Sequence, residues 1–419
     1  MRILLSNKFY YRRGGDCIYT LELERLLRQH GHDVAVFAMQ HPDNIPTPWQ
    51  AYFPSEANFR IGPKMVEAMS RPLGTREVKE RFDRLIRDFS PDVVHLGNIH
   101  SQLSPILAET AHDKGIRVVW TLHDYKLLCP RYDCMRPNGE VCEACFSNQQ
   151  AAMAAQVKAP DPGPCLKYHC LKDSLVASLI GWAEMKKWNR DRLTRITDMW
   201  ICPSSFMLQK MQQGGFPIEK LTHLCNFIDV SKCLMEDYAQ REDYYCYVGR
   251  LSHEKGVHTL IDAAARLPYR LIIIGDGPLK GQLQKQIQQL QCHDRIQLAG
   301  KMDWPQIKQY VGHARMLVIP SEWYENNPLT VLEAQCLGTP VLGARIGGIP
   351  ELIHPITGSP ASSQADGDLF SPKDIDELAQ KIETLWCHPF DYSQIAGRSQ
   401  QQFCAETYYT NLMKLYSRS

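Results

Sequence analysis

The sequence has almost no net charge: 47 Lys and Arg stand against 46 Asp and Glu over 419 residues, a formal charge of +1. Such a chain is not built around nucleic acid, because phosphate backbones recruit clustered cations, although a local basic patch stays open. It also lacks any uninterrupted apolar run near the roughly 18 residues that a membrane-spanning helix needs. Its opening residues, MRILLSNK, turn polar too soon for a secretory leader. No self-similarity appears at the roughly 20–50-residue periods of solenoids. These absences point to a soluble, cytoplasmic protein. Cysteine is plentiful, with 15 in the chain, and without an export signal the expectation is reduced thiols rather than disulfides.

At this length two or three domains are expected, at ~100–200 residues each. Short apolar, β-branched runs alternate with longer amphipathic ones, the pattern of an α/β protein with doubly wound parallel sheets. RILLSNK, DVAVFAM, DVVHLGN and RVVWTLHD read as strands in the first half, with a helix between the first two closed by Gly31. YYCYVGR, RLIIIGDG, RIQLAG, MLVIPS and TPVLGARIGG repeat the rhythm in the second. The economical reading is two Rossmann-like domains, 1–220 with a Cys-rich insert at 129–170, and 221–395, followed by a helix at 396–419 that crosses back to the first. The junction is placed near 221–233, and 354–368 reads as an exposed loop rich in turn formers.

The run YENNPLTVLEA, residues 324–334, sets Glu325 just before a helix and Glu333 inside it. Asn327 is a suitable N-cap and Pro328 suits the first helical position. The amides of Leu329 and Thr330 then point out of the helix N-terminus, where the dipole favours an anion. Carboxylates beside an anion site need hydroxyl donors, so a phosphorylated sugar satisfies both. Arg250 and Lys255, in RLSHEKG after a strand, could neutralise a diphosphate at the strand's carboxyl end, or be solvated loop cations. Gly14 and Gly15 open the first helix and permit a phosphate to approach the backbone, or simply make a tight turn. Neither glycine-rich turn has the spacing of a dinucleotide fingerprint, which disfavours an oxidoreductase.

Together these segments resemble the retaining glycosyltransferases of family 4, which have the GT-B fold of two Rossmann-like domains with an interdomain cleft. The matched motifs are GG at 14–15, TLHD at 121–124, GRLSHEKG at 249–256, GDGP at 275–278 and ENNPLTVLEA at 325–334, followed by GTPVLGARIGGIPELI. Seven residues separate the two glutamates, as in that family's signature. The resemblance implies that Arg250 and Lys255 hold the donor diphosphate, Glu325 contacts sugar hydroxyls and Glu333 binds the ribose. It implies phosphate contacts for the amides of Leu329 and Thr330 and for Gly15 with Gly14, groups Asn327 with the donor site, and puts His123 near the transferred sugar. Pro328 stands where many relatives have Gly and offers no amide.

The activity so implied is retaining transfer from a UDP- or GDP-sugar to a glycan or lipid-linked glycan hydroxyl, in polysaccharide or glycoconjugate synthesis. The leaving diphosphate takes the acceptor proton, and no metal or other cofactor is required for catalysis. A non-catalytic nucleotide-sugar-binding protein on the same fold would keep every motif except turnover. Two further features stand apart. Cys142, Cys145, Cys165 and Cys170 have spacings that could hold a structural zinc, or line an ordinary reduced loop. Residues 179–201 mix Trp182, Trp188 and Leu193 with Lys186, Lys187, Arg190, Arg192 and Arg195, which suits a helix with a solvated basic face or a peripheral contact with anionic lipid.

Overall fold

The computed structural model describes residues 1–57, 68–146, 159–356 and 364–417. The chain divides into two compact units, Met1–Cys225 with Tyr408–Ser419, and Asn226–Thr407. Each is built on a six-stranded sheet. In the first the strands are β1 (Arg2–Ser6), β2 (Asp33–Phe37), β3 (Val93–Leu96), β4 (Arg117–Thr121), β5 (Met199–Cys202) and β6 (Leu221–His223), in the order β2-β1-β3-β4-β5-β6. In the second they are β7 (Tyr244–Val248), β8 (Arg270–Ile274), β9 (Ile296–Gly300), β10 (Leu317–Ile319), β11 (Val341–Ala344) and β12 (Gly367–Phe370), in the order β12-β11-β10-β7-β8-β9. All named pairings are parallel.

Helices cover both faces of a parallel sheet, so its strands are buried on both sides and read as nearly continuous apolar runs. RILLS and RLIII each show one exposed residue followed by four buried ones. The first helix, Gly15–Gln29, buries Tyr19, Leu23, Leu26 and Leu27, and Gly31 at φ +76° turns the chain into β2. In the second unit one core joins Tyr245, Tyr247, Ile273 and Val318 from the sheet to Leu260, Leu283 and Ile382 from the helices. Among the described residues no helix is long and apolar enough to cross a membrane.

Four segments differ from the sequence reading. Residues 179–201 are not one helix: Leu175–Lys187 and Arg190–Ile196 are separated at Asn189, which caps the second, and the end of the segment enters β5. Leu221–His223, read as linker, is the edge strand β6. The loop at 354–368 ends by entering β12, while its residues 357–363 lie outside the described chain. The segment from 396 is two helices, Tyr392–Gln402 and Ala405–Tyr416, and the second is grouped with the first unit from Tyr408 onward.

The outer layer of the first sheet is fastened by aromatic packing, with the rings of Phe37 and Phe82 5.0 Å apart and both fully buried. Phe82→Ala leaves a cavity the rigid sheet cannot collapse into and should cost about 3–5 kcal/mol. A urea midpoint unchanged from the wild type would show that this contact is dispensable.

Candidate functional site

Strand order marks a candidate site in the second unit. From β7 the chain adds β8 and β9 on one side, then returns to lay β10 on the other, so the order reverses between β7 and β10. Loops leaving the carboxyl ends of such neighbours diverge and open a crevice for ligand. The loop after β7 carries Arg250 and Lys255, and the loop after β10 carries Ser321 and Glu325.

Two glycines bring these loops together. Gly256 has φ +64°, and a Cβ there would lie 1.9 Å from the carbonyl oxygen of Pro320. Gly347 has φ +61°, and a Cβ there would lie 2.2 Å from the carbonyl oxygen of Glu325. Only glycine allows both approaches. The Gly348 amide then donates to the Glu325 carbonyl at 2.7 Å.

Held so, the Glu325 carboxylate is 7% exposed and meets the Lys255 ammonium, with Nζ 2.6 Å from Oε1. Ser321 Oγ donates to the same oxygen at 2.7 Å. Burial alone would raise the carboxyl pKa, but Lys255 and the hydrogen bonds hold it below the ordinary carboxylate range. Lys255 also lies 5.0 Å from the centre of the Trp323 ring. Arg250 is exposed, and its guanidinium has no ion pair among the described residues.

The helix beyond, Leu329–Cys336, begins without a side-chain cap, with Pro328 as the residue before it. This corrects the expected role of Asn327. Its Oδ1 accepts from the Asn226 amide at 3.1 Å and its carbonyl from Asn226 Nδ2 at 3.0 Å, so its side chain is committed elsewhere. The first amides of a helix have no acceptor within it, and those of Leu329 and Thr330 are half-buried at this uncapped end. Glu333 sits half-buried one turn further on.

In the first unit the same strand logic applies, with the order reversing between β1 and β3. Gly14 precedes the first helix in an extended conformation, φ −154°. A Cβ there would meet only Asp16 Oδ1 at 3.5 Å, an ordinary contact, so packing within the protein does not require glycine. Gly15 is exposed at the helix start. His123 follows β4, edge-on to the Tyr19 ring with centroids 4.7 Å apart, and its Nε2 is buried without a hydrogen-bond partner among the described residues. Burial lowers its pKa to about 4 against the opposing pull of Asp16, so the imidazole is neutral at neutral pH.

Ser321 was missed in the sequence reading, as was Glu322, which is 2% exposed and accepts from Thr259 Oγ1 at 2.6 Å. Their only signal was position at a strand's end. Two Asp-x-Asp triplets also lie in this half, and the structure engages both elsewhere. Asp366 binds His354 and Arg398, Asp368 binds Lys381, Asp374 caps a helix, and Asp376 pairs with Arg266.

The four cysteines are not assembled as one site. Cys145, Cys165 and Cys170 share a buried apolar cluster, and the Cys170 thiol is pushed upward first by its hydrogen bond with Cys165. Cys142 is half-exposed beside Arg136. Among the described residues no group of three or more His, Cys, Asp or Glu could hold a metal ion. The basic segment packs one side and leaves Lys186, Lys187 and Arg195 exposed, as a solvated basic face would. Trp188 is 3% exposed and donates from Nε1 to the Pro72 carbonyl at 2.9 Å, Leu193 is buried, and Arg192 pairs with Glu109 at 2.6 Å.

Fold and site thus define a GT-B protein. A model described as glycosyl transferases group 1 matches residues 236–401, and one described as glycosyltransferase family 4 matches residues 13–139. The chain belongs to glycosyltransferase family 4. It is 32% identical to sulfoquinovosyl transferase SQD2 of Arabidopsis thaliana over 37% of this chain and 29% of that protein. It is 31% identical to alpha-D-kanosaminyltransferase of Streptomyces kanamyceticus over 34% of this chain and 36% of that one. The chain therefore spans about a third of the length of these two relatives. Over 91% of its length and 96% of the other, it is 24% identical to an uncharacterized 42.6 kDa protein in the cps region of Klebsiella pneumoniae. Among solved structures, HepE of Anabaena in complex with UDP and glucose matches with a TM-score of 0.64 at 19% identity, over 100% of both chains. Sucrose-phosphate synthase of Thermosynechococcus elongatus gives 0.67 at 17%, over 99% and 98%.

The Lys255–Glu325 pair has a pH signature. A carboxyl whose folded pKa is depressed contributes stability above its unfolded pKa of about 4.3 and loses it as pH falls through the lower folded value. Lys255→Ala leaves the carboxylate buried without its cation, which should cost about 3–5 kcal/mol near neutrality. The orphaned carboxyl then titrates above the unfolded value, so the defect should shrink on acidification towards about pH 5. Urea unfolding at the two pH values checks this, and a defect that does not change with pH contradicts it.

Proposed function

We propose that the protein is a retaining glycosyltransferase that moves a sugar from a nucleotide-diphosphate donor to a hydroxyl of a glycan or lipid-linked glycan. The observation that carries the reading is the uncapped start of helix Leu329–Cys336 beside a buried carboxylate kept ionised by Lys255. That arrangement offers amide donors to phosphate and an acceptor to sugar hydroxyls. The family supports the reaction class, and two relatives whose names place them in colanic acid and amylovoran biosynthesis support a role in polysaccharide synthesis. HepE has been solved with UDP and UDP-glucose, and starch synthase IV with ADP, which supports a nucleoside diphosphate as the leaving group.

In this reading Arg250 and Lys255, with the amides of Leu329 and Thr330, stabilise the negative charge that grows on the diphosphate as the glycosidic bond breaks. With that charge provided for, the reaction needs no divalent metal. Lys255 exchanges its contact with Glu325 for one with phosphate, which frees Glu325 Oε1 to accept from a sugar hydroxyl. Glu333 takes the ribose, and Gly14 and Gly15 of the first unit let phosphate approach the backbone. His123, neutral at working pH, acts through a hydrogen bond and not through charge. The departing diphosphate oxygen takes the proton of the acceptor hydroxyl on the same face of the sugar, which keeps the anomeric configuration.

A thermal-shift panel of UDP-, GDP- and ADP-sugars tests donor binding, since a ligand that prefers the native state raises Tm. One nucleotide family should raise it, and Arg250→Ala should abolish the rise. Glu325→Gln should lower turnover by about a hundredfold, and Glu333→Ala should weaken nucleotide binding about tenfold, the worth of one good hydrogen bond to a charged group. Full activity in both variants removes these assignments, and binding without nucleotide release in the presence of acceptors supports a non-catalytic binding protein.

A further inference from the structure

The last helix, Ala405–Tyr416, turns one stripe of Tyr408, Leu412 and Tyr416 onto the first unit, and all three are buried. Its two tyrosine hydroxyls enter a buried polar chain. Tyr416 OH lies 2.5 Å from His95 Nδ1, and His95 Nε2 lies 2.8 Å from Thr121 Oγ1. Thr121 Oγ1 is 3.2 Å from the Tyr19 hydroxyl, which in turn bonds the hydroxyl of Tyr408. His95, Thr121 and Tyr19 are 2%, 1% and 3% exposed, so water does not substitute for any member. Burial lowers the His95 pKa to about 3, hence one ring nitrogen donates and the other accepts, and the tautomer is set by Tyr416 and Thr121.

The chain ends on the site residue of this unit. The Tyr19 ring is the edge against which His123 packs, at 4.7 Å and 65°, and Thr121 ends the strand from which His123 projects. A Cβ on Gly97 would lie 3.7 Å from His123 Cδ2, so Gly97 also lies beside the ring. Among the described residues the His123 Nε2 is left without a partner, an arrangement that buried polar atoms avoid unless a ligand or a functional state supplies one.

We propose that Tyr408 and Tyr416 are positioning residues for His123, acting through His95, Thr121 and Tyr19 to hold its imidazole where Nε2 can meet the transferred sugar. The role of His123 in transfer rests on the function proposed above, whereas its positioning does not. The same helix supplies the control. Tyr409 OH contacts His32 Nε2 at 2.8 Å and its ring stacks on His30 at 3.6 Å, away from His123. Tyr409→Phe therefore removes a hydroxyl that fastens the same helix without touching the chain to His123.

The experiment compares Tyr408→Phe, Tyr416→Phe and Tyr409→Phe, each lacking one oxygen, in protein labelled with 15N-histidine, with His123→Gln used to assign the signal. Tyr408→Phe and Tyr416→Phe should shift the ring-nitrogen resonances of His123 and lower kcat roughly threefold to tenfold, with the donor KM within about twofold, the pattern of a lost transition-state contact. Tyr409→Phe should leave the His123 resonances and kcat as in the wild type. The proposal is overturned if Tyr409→Phe matches the other two, which would reduce all three to helix docking, or if no variant moves the His123 signals. Shifted His123 signals with no turnover even in the wild type would uphold the positioning and sink the transferase reading alone.

Discussion

The organising constraint is the parallel sheet whose strand order reverses beside its first strand. A crossover helix must return the chain to the same end of the sheet before each new strand, so the loops that lead into helices leave from one rim. Where the order reverses, two such loops have no helix between them. In the second unit those loops bear Lys255 and Glu325, and the ion pair between them follows from strand order as much as from their charges.

Loop geometry is then set by backbone contact, not by side chains. Gly256 lets the loop after β7 touch Pro320, and Gly347 lets the loop after β11 touch Glu325. A methyl group at either position would clash with that backbone and force the loops to shift. Gly14 differs in kind, because the protein leaves room for a side chain there. The open amides at Leu329 and Thr330 complete the picture, since Asn327, the residue that could have capped them, is bonded to Asn226 instead. Capping would stabilise the helix, and its absence leaves donors for an anion.

The first unit solves a different problem. Its candidate residue, His123, is a neutral imidazole, and a neutral ring is held by packing instead of charge. The ring rests on Tyr19, and Tyr19 belongs to a chain of hydroxyls whose other members come from β3, β4 and the last helix. Such chains are stable only when every buried member is satisfied, which ties the order of the helix to the order of the site.

Several features were decided in the sequence. Runs such as RLIII and RILLS read as parallel strands buried on both faces, and E-x7-E with N-P-L-T marks a helix start flanked by carboxylates. β6 and β12 escaped notice because edge strands of three or four residues, LTH and GDLF, carry too little apolar pattern to separate from turns. The basic segment follows its reading as a packed side with a solvated basic face, since Lys186, Lys187 and Arg195 are exposed. The partners of its packed side, Glu109 for Arg192 and Pro72 for Trp188, are remote along the chain and were not legible. Cysteine spacing raised a metal site, but spacing does not orient sulfurs, and Cys142 faces Arg136 while the others turn inward. What sequence alone determined was the set of local periods and charges. Which carboxylate meets which cation, and which hydroxyl reaches His95 from residue 416, was left to tertiary packing, because such contacts depend on strand order and helix docking that no local pattern encodes.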